Sequence, residues 1–156
     1  MMQEYVDVLI IGAGISGIGS AVHLQNQCPD KSFAVIEAHE SFGGTWLIHN
    51  YPGIRSDSDL FTFGYRFKPW IGPPIATGQE IMQYLKEVIE EQNLDKHIRY
   101  QRKVTQASYK SNEALWTVTV KNSATGETEI LTTRFLWMCQ GYYRHDKGYR
   151  PNWPGL

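Results

Sequence analysis

Three glycines near the N-terminus have a spacing that suits phosphate binding. They form the pattern G-x-G-x-x-G, at Gly12, Gly14 and Gly17. The first glycine permits a tight turn out of a strand, the second lets a pyrophosphate approach the backbone, and the third lets a helix pack against the sheet. The next residues in the turn, Ile15 and Ser16, begin a predicted helix whose first N–H groups are free to bind an anion.

An acidic residue stands at the distance from these glycines that a dinucleotide site requires. Glu37 follows the apolar run SFAVI of residues 32–36 and lies about 20 residues beyond Gly17. A carboxylate at this position accepts hydrogen bonds from both hydroxyls of an adenosine ribose, and it disfavours the 2′-phosphate of NADP. The pattern therefore predicts FAD or NAD and does not choose between them.

A second pair of glycines opens a long loop, GGTWLIHNYPGIRSDSD, at residues 43–59. Its glycines and proline are unfavourable in a helix, and its aspartates are depleted in strands. Gly43 and Gly44 indicate another close approach of backbone to a ligand, and Trp46 offers an aromatic face to a ring system. Residues 38–76 as a whole show no regular period, and loops of that length are usually functional.

The elements that position these residues follow from the apolar pattern. Residues 5–11 form a β-branched run typical of a strand buried on both faces, residues 15–24 have helical spacing, and residues 32–36 form a second buried strand. Strand, helix and strand within this length indicate a βαβ unit with a parallel sheet. A further helix is predicted from Thr77, whose hydroxyl forms a capping box with Glu80, to Asn93.

The second half of the chain alternates polar and apolar residues. We predict strands near 99–109, 114–121 and 128–133, which form an antiparallel meander appended to the parallel sheet. The run FLWMC of residues 135–139 is predicted to be another buried strand, ended by Gly141. The fold class is therefore α/β.

Composition narrows the classes of function. The 156 residues are the length of one domain, and the net charge of -1 gives no support for nucleic acid or an anionic membrane as the main partner. No apolar run is long enough to span a bilayer, and no signal peptide is recognised. Cys28 and Cys139 are read as free thiols in a reducing, cytoplasmic compartment, and the five histidines have no metal-binding spacing.

The long loop carries the most specific pattern: G-G-x-W, four residues, Y-P-G, three residues, D. It is formed here by Gly43, Gly44, Trp46, Tyr51, Pro52, Gly53 and Asp57. This pattern resembles the flavin-site fingerprint of Baeyer–Villiger monooxygenases, which are class B flavoprotein monooxygenases. The runs YPGIRSDSD and FTFGYRFKPW are most similar to the branch that includes ethionamide-activating and long-chain alkane-oxidising enzymes. Gly141 stands where these enzymes have an A-T-G-type segment, and the resemblance extends over essentially all 156 residues.

The resemblance implies a fold, a chemistry and a set of site residues. Residues 1–156 would be the N-terminal segment of a truncated, Rossmann-like FAD-binding domain of the glutathione-reductase type. NADPH would reduce FAD, and a C4a-peroxyflavin would oxidise a ketone, a sulfide or a long alkyl substrate. Asp57 would be the catalytic carboxylate near the reactive face of the flavin. The expected cofactor-binding residues are Gly12, Gly14, Ile15, Ser16, Gly17, Glu37, Gly44, Thr45, Trp46, Tyr51, Asp57, Val104 and Gly141.

The chain departs from this family in two ways. Leu47 and Asn50 replace an acidic residue and an arginine that the branch usually has, and an asparagine cannot form the bidentate clamp of an arginine. The second Rossmann domain for NADPH, the linking motif and the arginine that stabilises the peroxide are not in these 156 residues. We therefore expect an N-terminal fragment that is poorly active alone.

Alternative functions remain. A truncated chain that holds FAD or ADP without turnover is the nearest of them, and the exposed edge of an incomplete sheet would favour self-association. A disulfide reductase would need a C-x₄-C pair, and an amine oxidase would typically have G-G-R where this chain has Gly43, Gly44 and Thr45. An NAD dehydrogenase would need neither the GGTW segment nor the meander.

Overall fold

The computed structural model describes residues 3–155, which form strands, helices and a single mixed sheet. The strands are β1 Gln3–Ile11, β2 Phe33–Ile36, β3 Ile98–Arg99, β4 Arg102–Lys110, β5 Leu115–Asn122 and β6 Thr128–Met138. The helices are α1 Ile15–Gln27, α2 Thr45–Ile48, α3 Leu60–Phe63 and α4 Gly78–Glu91, and a 3₁₀ turn spans Asp95–His97.

The six strands lie in the order β3-β2-β1-β6-β5-β4. β1 pairs in parallel with both β2 and β6, and β2 pairs in parallel with β3. β5 runs antiparallel to β4 and to β6. The predicted parallel sheet with an appended meander is therefore confirmed, and β6 is the strand that joins the two parts.

Apolar residues fill both faces of the central strands. Ile10 and Val35 point towards α1 and α4, where they pack with Ile18, Leu85 and other buried side chains. Leu9, Ile11 and Ile36 point to the opposite face, where Val118, Val120 and Leu131 of the meander cover them. The predicted strand is therefore buried on both faces over residues 8–11, whereas Tyr5 at its start is exposed.

The separate strands predicted at 128–133 and 135–139 are wrong, because residues 128–138 form one continuous strand. Residues 128–133 pair with β5, and residues 130–138 pair with β1. The prediction that 135–139 is buried is also wrong. Phe135, Trp137 and Met138 are exposed. Beyond Thr133 this strand pairs with β1 alone, so no side chains of β5 flank these residues.

The predicted strand 99–109 is instead two strands that meet at a corner. β3 ends at Arg99, β4 begins at Arg102, and Gln101 between them has a φ of 56°. This corner lets the chain leave the parallel part of the sheet and enter the meander.

The long loop of residues 38–76 contains two short helices, α2 and α3, which its irregular sequence did not predict. It ends at the predicted capping box. The Thr77 N–H donates to Glu80 Oε2 at 2.7 Å, and the Glu80 N–H donates to Thr77 Oγ1 at 3.2 Å. α4 ends two residues before the predicted Asn93, at Glu91.

Candidate cofactor-binding site

The turn between β1 and α1 is packed so tightly that a side chain cannot enter it. A Cβ atom built on Gly17 would lie 1.8 Å from the carbonyl oxygen of Gly12, and one built on Gly12 would lie 2.6 Å from the oxygen of Cys139. Both obstacles are backbone atoms, which cannot move aside as a flexible side chain would. Gly12, with a φ of 104°, therefore makes the tight turn predicted for it, and Gly17 allows the predicted close approach of the helix. Their part in binding a cofactor stays a prediction.

The N-terminus of α1 presents backbone donors at this turn. The first hydrogen bond that closes the helix runs from the Ile18 N–H to the Gly14 oxygen at 3.0 Å. The N–H groups of Ile15, Ser16 and Gly17 precede it and have no acceptor within the helix, and no side chain caps this end. These donors and the positive end of a 13-residue helix together favour an anionic group.

Glu37 is buried beside the turn, as the sequence places it. Only 4% of its surface is exposed. Its Oε2 accepts the Ala13 N–H at 2.8 Å, and its Oε1 accepts the N–H and ring Nδ1 of His39 at 2.8 and 2.7 Å. A carboxylate oxygen has two lone pairs, so Oε2 retains an acceptor position. The sequence analysis gave the exposed His39 no part in this site. Its position two residues after Glu37 was the signal for a local hydrogen bond between the two residues.

The second glycine pair lies directly against the first turn. The Gly43 N–H donates to the Ala13 oxygen at 2.9 Å, so the Ala13 peptide groups link the turn both to Glu37 and to the GGTW segment. A Cβ atom on Gly14 would lie 3.6 Å from Gly44 Cα, and Gly44 has a φ of 56°. The structure therefore brings together two glycine-bearing segments that are separated by about 30 residues in the sequence.

The rest of the long loop forms one wall of an open cleft against α4. Trp46 is half-buried on the core beneath α1, whereas Thr45 and Tyr51 are exposed. The cleft has a volume of about 800 Å³. Its mostly apolar lining includes Phe42, Trp46, Leu47, Ile54 and Met82, and its polar lining includes Asn50, Gln79, Gln83 and Lys86. The two residues that depart from the family pattern, Leu47 and Asn50, both face this cleft.

The two aspartates of the loop have different environments. Asp59 is the N-cap of α3, where its Oδ1 accepts the Thr62 N–H at 2.9 Å. Asp57 is exposed, and its carboxylate accepts a hydrogen bond from the hydroxyl of the neighbouring Ser58 at 3.3 Å. Asp59 therefore has a local structural role, and Asp57 keeps most of its acceptor capacity for another group.

The end of β6 completes the floor of the site. The Cys139 N–H donates to the Ile11 oxygen at 2.8 Å, which carries the chain past Gly12 towards Gly141. Burial raises the pKa of the Cys139 thiol, although the Ser20 hydroxyl at 3.7 Å opposes the shift. The thiol therefore remains neutral beside a turn that favours anions.

Val104 differs from the other expected site residues. Its side chain is half-buried in the apolar cluster on the sheet face opposite α1, where it does not contact the glycine segments. The start of β4 reaches the site through backbone instead, since the Arg102 N–H donates to the Glu37 carbonyl oxygen at 2.8 Å. A role for Val104 in binding would therefore have to use its main chain and stays a prediction.

A metal site is not formed within residues 3–155. In that range no three His, Cys, Asp or Glu side chains come together as metal ligands would. The helices described there are also too short or too polar for a membrane-crossing segment. Within the same residues Cys28 and Cys139 are free thiols.

The sequence and structure agree with a known family. Residues 10–88 match the model of the NAD(P)-binding Rossmann-like domain, and the chain belongs to that family.

The chain is also similar to the N-terminal part of flavin monooxygenases. It is 48% identical over 155 residues to the FAD-containing monooxygenase EthA of Mycobacterium tuberculosis, and the match covers 99% of this chain and 31% of EthA. It superimposes on cyclohexanone monooxygenase with a TM-score of 0.79 and 27% identity, over 99% of this chain and 29% of that one. For OTEMO in complex with FAD and NADP the TM-score is 0.78, with 33% identity over 97% and 28% of the two chains.

The chain therefore spans about a third of the length of the relatives that it matches. The likeness confirms the resemblance inferred from the GGTW and YPG segments and confirms the expected fold class.

Proposed function

We propose that residues 1–156 are the N-terminal, FAD-binding part of an NADPH- and O₂-dependent flavin monooxygenase. The observation that carries the proposal is the contact between the two glycine-bearing segments. Ala13 donates to Glu37 and accepts from Gly43, so an adenosine-binding carboxylate, a pyrophosphate turn and the GGTW segment form one continuous surface. A nicotinamide dinucleotide needs the first two features, and the third is expected for a flavin.

The residues present fit FAD. The free N–H groups of Ile15, Ser16 and Gly17 suit its pyrophosphate, and Glu37 has an acceptor position for its ribose. A Cβ on Gly14 or on Gly44 would lie 3.6 or 3.2 Å from the Cα atom of the other glycine, so the missing side chains let the two segments approach each other closely. We assign the ring end of the cofactor to Thr45, Trp46, Tyr51 and the main chain near Gly141.

When bound, FAD supplies the electron-transfer and oxygen-activating chemistry of such an enzyme. The chain's own residues bind and orient the cofactor, and the loop from Gly43 to Asp59 limits the access of water to it. We assign to the exposed carboxylate of Asp57 the orientation of a cationic partner. The substrate classes proposed from the resemblance are ketones, sulfides and long alkyl compounds.

A second candidate is a chain that holds FAD or ADP without turnover. The observation in its favour is that these 156 residues contain one G-x-G-x-x-G pattern, whereas a monooxygenase uses a second dinucleotide site for NADPH. We propose that this chain alone does not couple NADPH oxidation to product formation.

We also propose a cytoplasmic location, and self-association through the edge of β6 beyond Thr133.

Incubation of the purified chain with FAD, followed by desalting and a visible absorbance spectrum, tests the proposal. Retained flavin with a shifted spectrum supports it, and a folded chain that retains no flavin contradicts it. Addition of NADPH and a test ketone to the retained complex should give no product, and product formation would rule out the second candidate and overturn the proposed lack of turnover by this chain alone.

A further inference from the structure

Tyr65 connects the loop after α3 to the first turn of α1. Its hydroxyl donates a hydrogen bond to the Ile15 carbonyl oxygen, and its ring occupies the space that Gly19 leaves open. A Cβ atom on Gly19 would lie 2.7 Å from Tyr65 Cε1. The ring also stacks on Phe67, with the centroids 4.7 Å apart. Tyr65 is thus fixed against the helix that carries the phosphate-binding donors.

The carbonyl that Tyr65 contacts belongs to the same peptide group as the Ser16 N–H. That N–H is one of the free donors of the first helical turn. A hydrogen bond to the carbonyl end of a peptide group fixes its plane and polarises it, which strengthens the N–H at the other end as a donor. A bond from Tyr65 therefore acts on Ser16 without touching the ligand.

Tyr65 is itself held in place from α4. Its N–H donates to the Tyr84 hydroxyl at 2.8 Å, and that hydroxyl donates to the Lys68 oxygen at 2.6 Å. The two tyrosine rings stack with centroids 5.6 Å apart. Burial raises the pKa of Tyr65, so its phenol stays protonated and able to donate. The contacts form a continuous path from α4 to the pyrophosphate turn.

We propose that Tyr65 is a positioning residue that orients and strengthens the Ser16 N–H for the pyrophosphate of the cofactor. The inference rests on the proposed function, because it needs a ligand at this turn. Packing alone does not require the hydroxyl, since a phenylalanine would fill the same space beside Gly19. The hydroxyl is therefore the atom to test.

Tyr65→Phe keeps the ring and removes the bond to Ile15. We expect its Kd for FAD to rise about threefold, because the Ser16 N–H keeps its own bond to the ligand and loses the bond that orients and polarises its peptide group. In the ligand-free protein we expect the Ser16 amide resonance to move upfield in a ¹H–¹⁵N spectrum. Tyr109 is an exposed tyrosine on β4. Tyr109→Phe is the matched control, and it should leave both the Kd for FAD and the Ser16 amide resonance unchanged. A role in packing alone would not move the Ser16 amide of a folded protein.

The possible outcomes separate this inference from the proposed function. If the original chain binds FAD and Tyr65→Phe binds it within twofold, the positioning role is overturned and the proposed function stands. If the original chain binds no FAD, both are overturned. Should Tyr65→Phe not fold, Tyr84→Phe replaces it, because it removes the hydroxyl that holds the Tyr65 main chain and keeps both rings. A raised Kd together with an upfield shift of the Ser16 amide in Tyr84→Phe would support the inference, and unchanged values of both would overturn it.

Discussion

The two glycine-bearing segments of the site are built in different ways. The turn at Gly12–Gly17 is defined by backbone contacts, since a Cβ on Gly17 would collide with the Gly12 carbonyl. The loop at Gly43–Asp59 is joined to that turn through Gly43, and its side chains Tyr51 and Asp57 are exposed. The shape of the first segment is fixed by contacts within its own backbone. The second segment has exposed side chains that are free to contact a ligand or another part of a protein.

This difference predicts which property of the protein a substitution in each segment will change. A substitution in the first segment should affect folding and binding together, because the same backbone atoms serve both. A substitution at an exposed position of the second should affect binding or chemistry and leave the fold intact. The following predictions test that division.

The largest effect is expected for Gly17→Ala. The new methyl group has no space, because the atoms 1.8 and 2.9 Å away belong to the Gly12 backbone. We expect a loss of at least about 3 kcal/mol in the free energy of unfolding, measured by urea denaturation, and no retention of FAD. Gly148→Ala, at an exposed glycine with open space around it, is the control. Equal stability of the two variants would show that the turn is not rigid.

Glu37→Gln should affect stability and binding together. The carboxylate accepts hydrogen bonds on both oxygens, and the amide NH₂ would face one of those donors. We expect a loss of about 1–3 kcal/mol in stability and at least a tenfold rise in the Kd for FAD, measured by quenching of flavin fluorescence. Glu40→Gln, an exposed neighbour, should change neither quantity. Unchanged FAD affinity in Glu37→Gln would show that Glu37 does not take part in binding the cofactor.

Two alanine substitutions within the second segment should differ from each other. Asp59→Ala loses the cap of α3, and we expect a cost of about 1 kcal/mol in unfolding free energy. Asp57→Ala loses an exposed carboxylate, and we expect a change within about 0.5 kcal/mol. Thermal unfolding of the two variants measures the difference. A larger loss in Asp57→Ala would mean that Asp57 is structural and would count against its proposed catalytic role.

The smallest effect concerns the dependence of stability on pH. Hydrogen bonds from the Ser32 hydroxyl and N–H, and from Tyr5, lower the pKa of Asp7 to about 2. The unfolded chain keeps the ordinary value near 3.9, so it takes up a proton first. The stability from Asp7 is complete above about pH 4 and is lost as the pH falls towards 2.

Urea midpoints at pH 5 and pH 3 measure this effect. The original chain should lose more stability over that range than Asp7→Asn, which has no titrating group at this position. Equal losses would mean that Asp7 does not link β1 to Ser32 in solution.

The sequence predicted the first segment better than the second, for a physical reason. Gly12 and Gly17 are required by local backbone geometry, and the spacing of the glycines indicated the turn and the helix. The distance from Gly17 to Glu37 indicated a carboxylate for the ribose and did not predict its burial. The contact of Gly43 with Ala13 depends on tertiary packing, and the sequence indicated only that Gly43 and Gly44 let the backbone approach a ligand closely.

The wrong predictions have the same origin. The burial of residues 135–139 was inferred from their apolar composition, but burial depends on which other elements cover a strand. The corner at Gln101 also depends on contacts that local composition does not encode. The bond between Glu37 and His39 is local, and its signal in the sequence was missed.

The most direct test of the central claim is a titration of the ¹⁵N-labelled chain with FAD, followed by ¹H–¹⁵N spectra. If the two segments form one flavin-binding surface, the amides of Ile15–Gly17 and those of Gly43–Trp46 will shift together, with one Kd. If only the first group shifts, the chain binds the ADP half alone, and the claim that the GGTW segment contacts the flavin is contradicted.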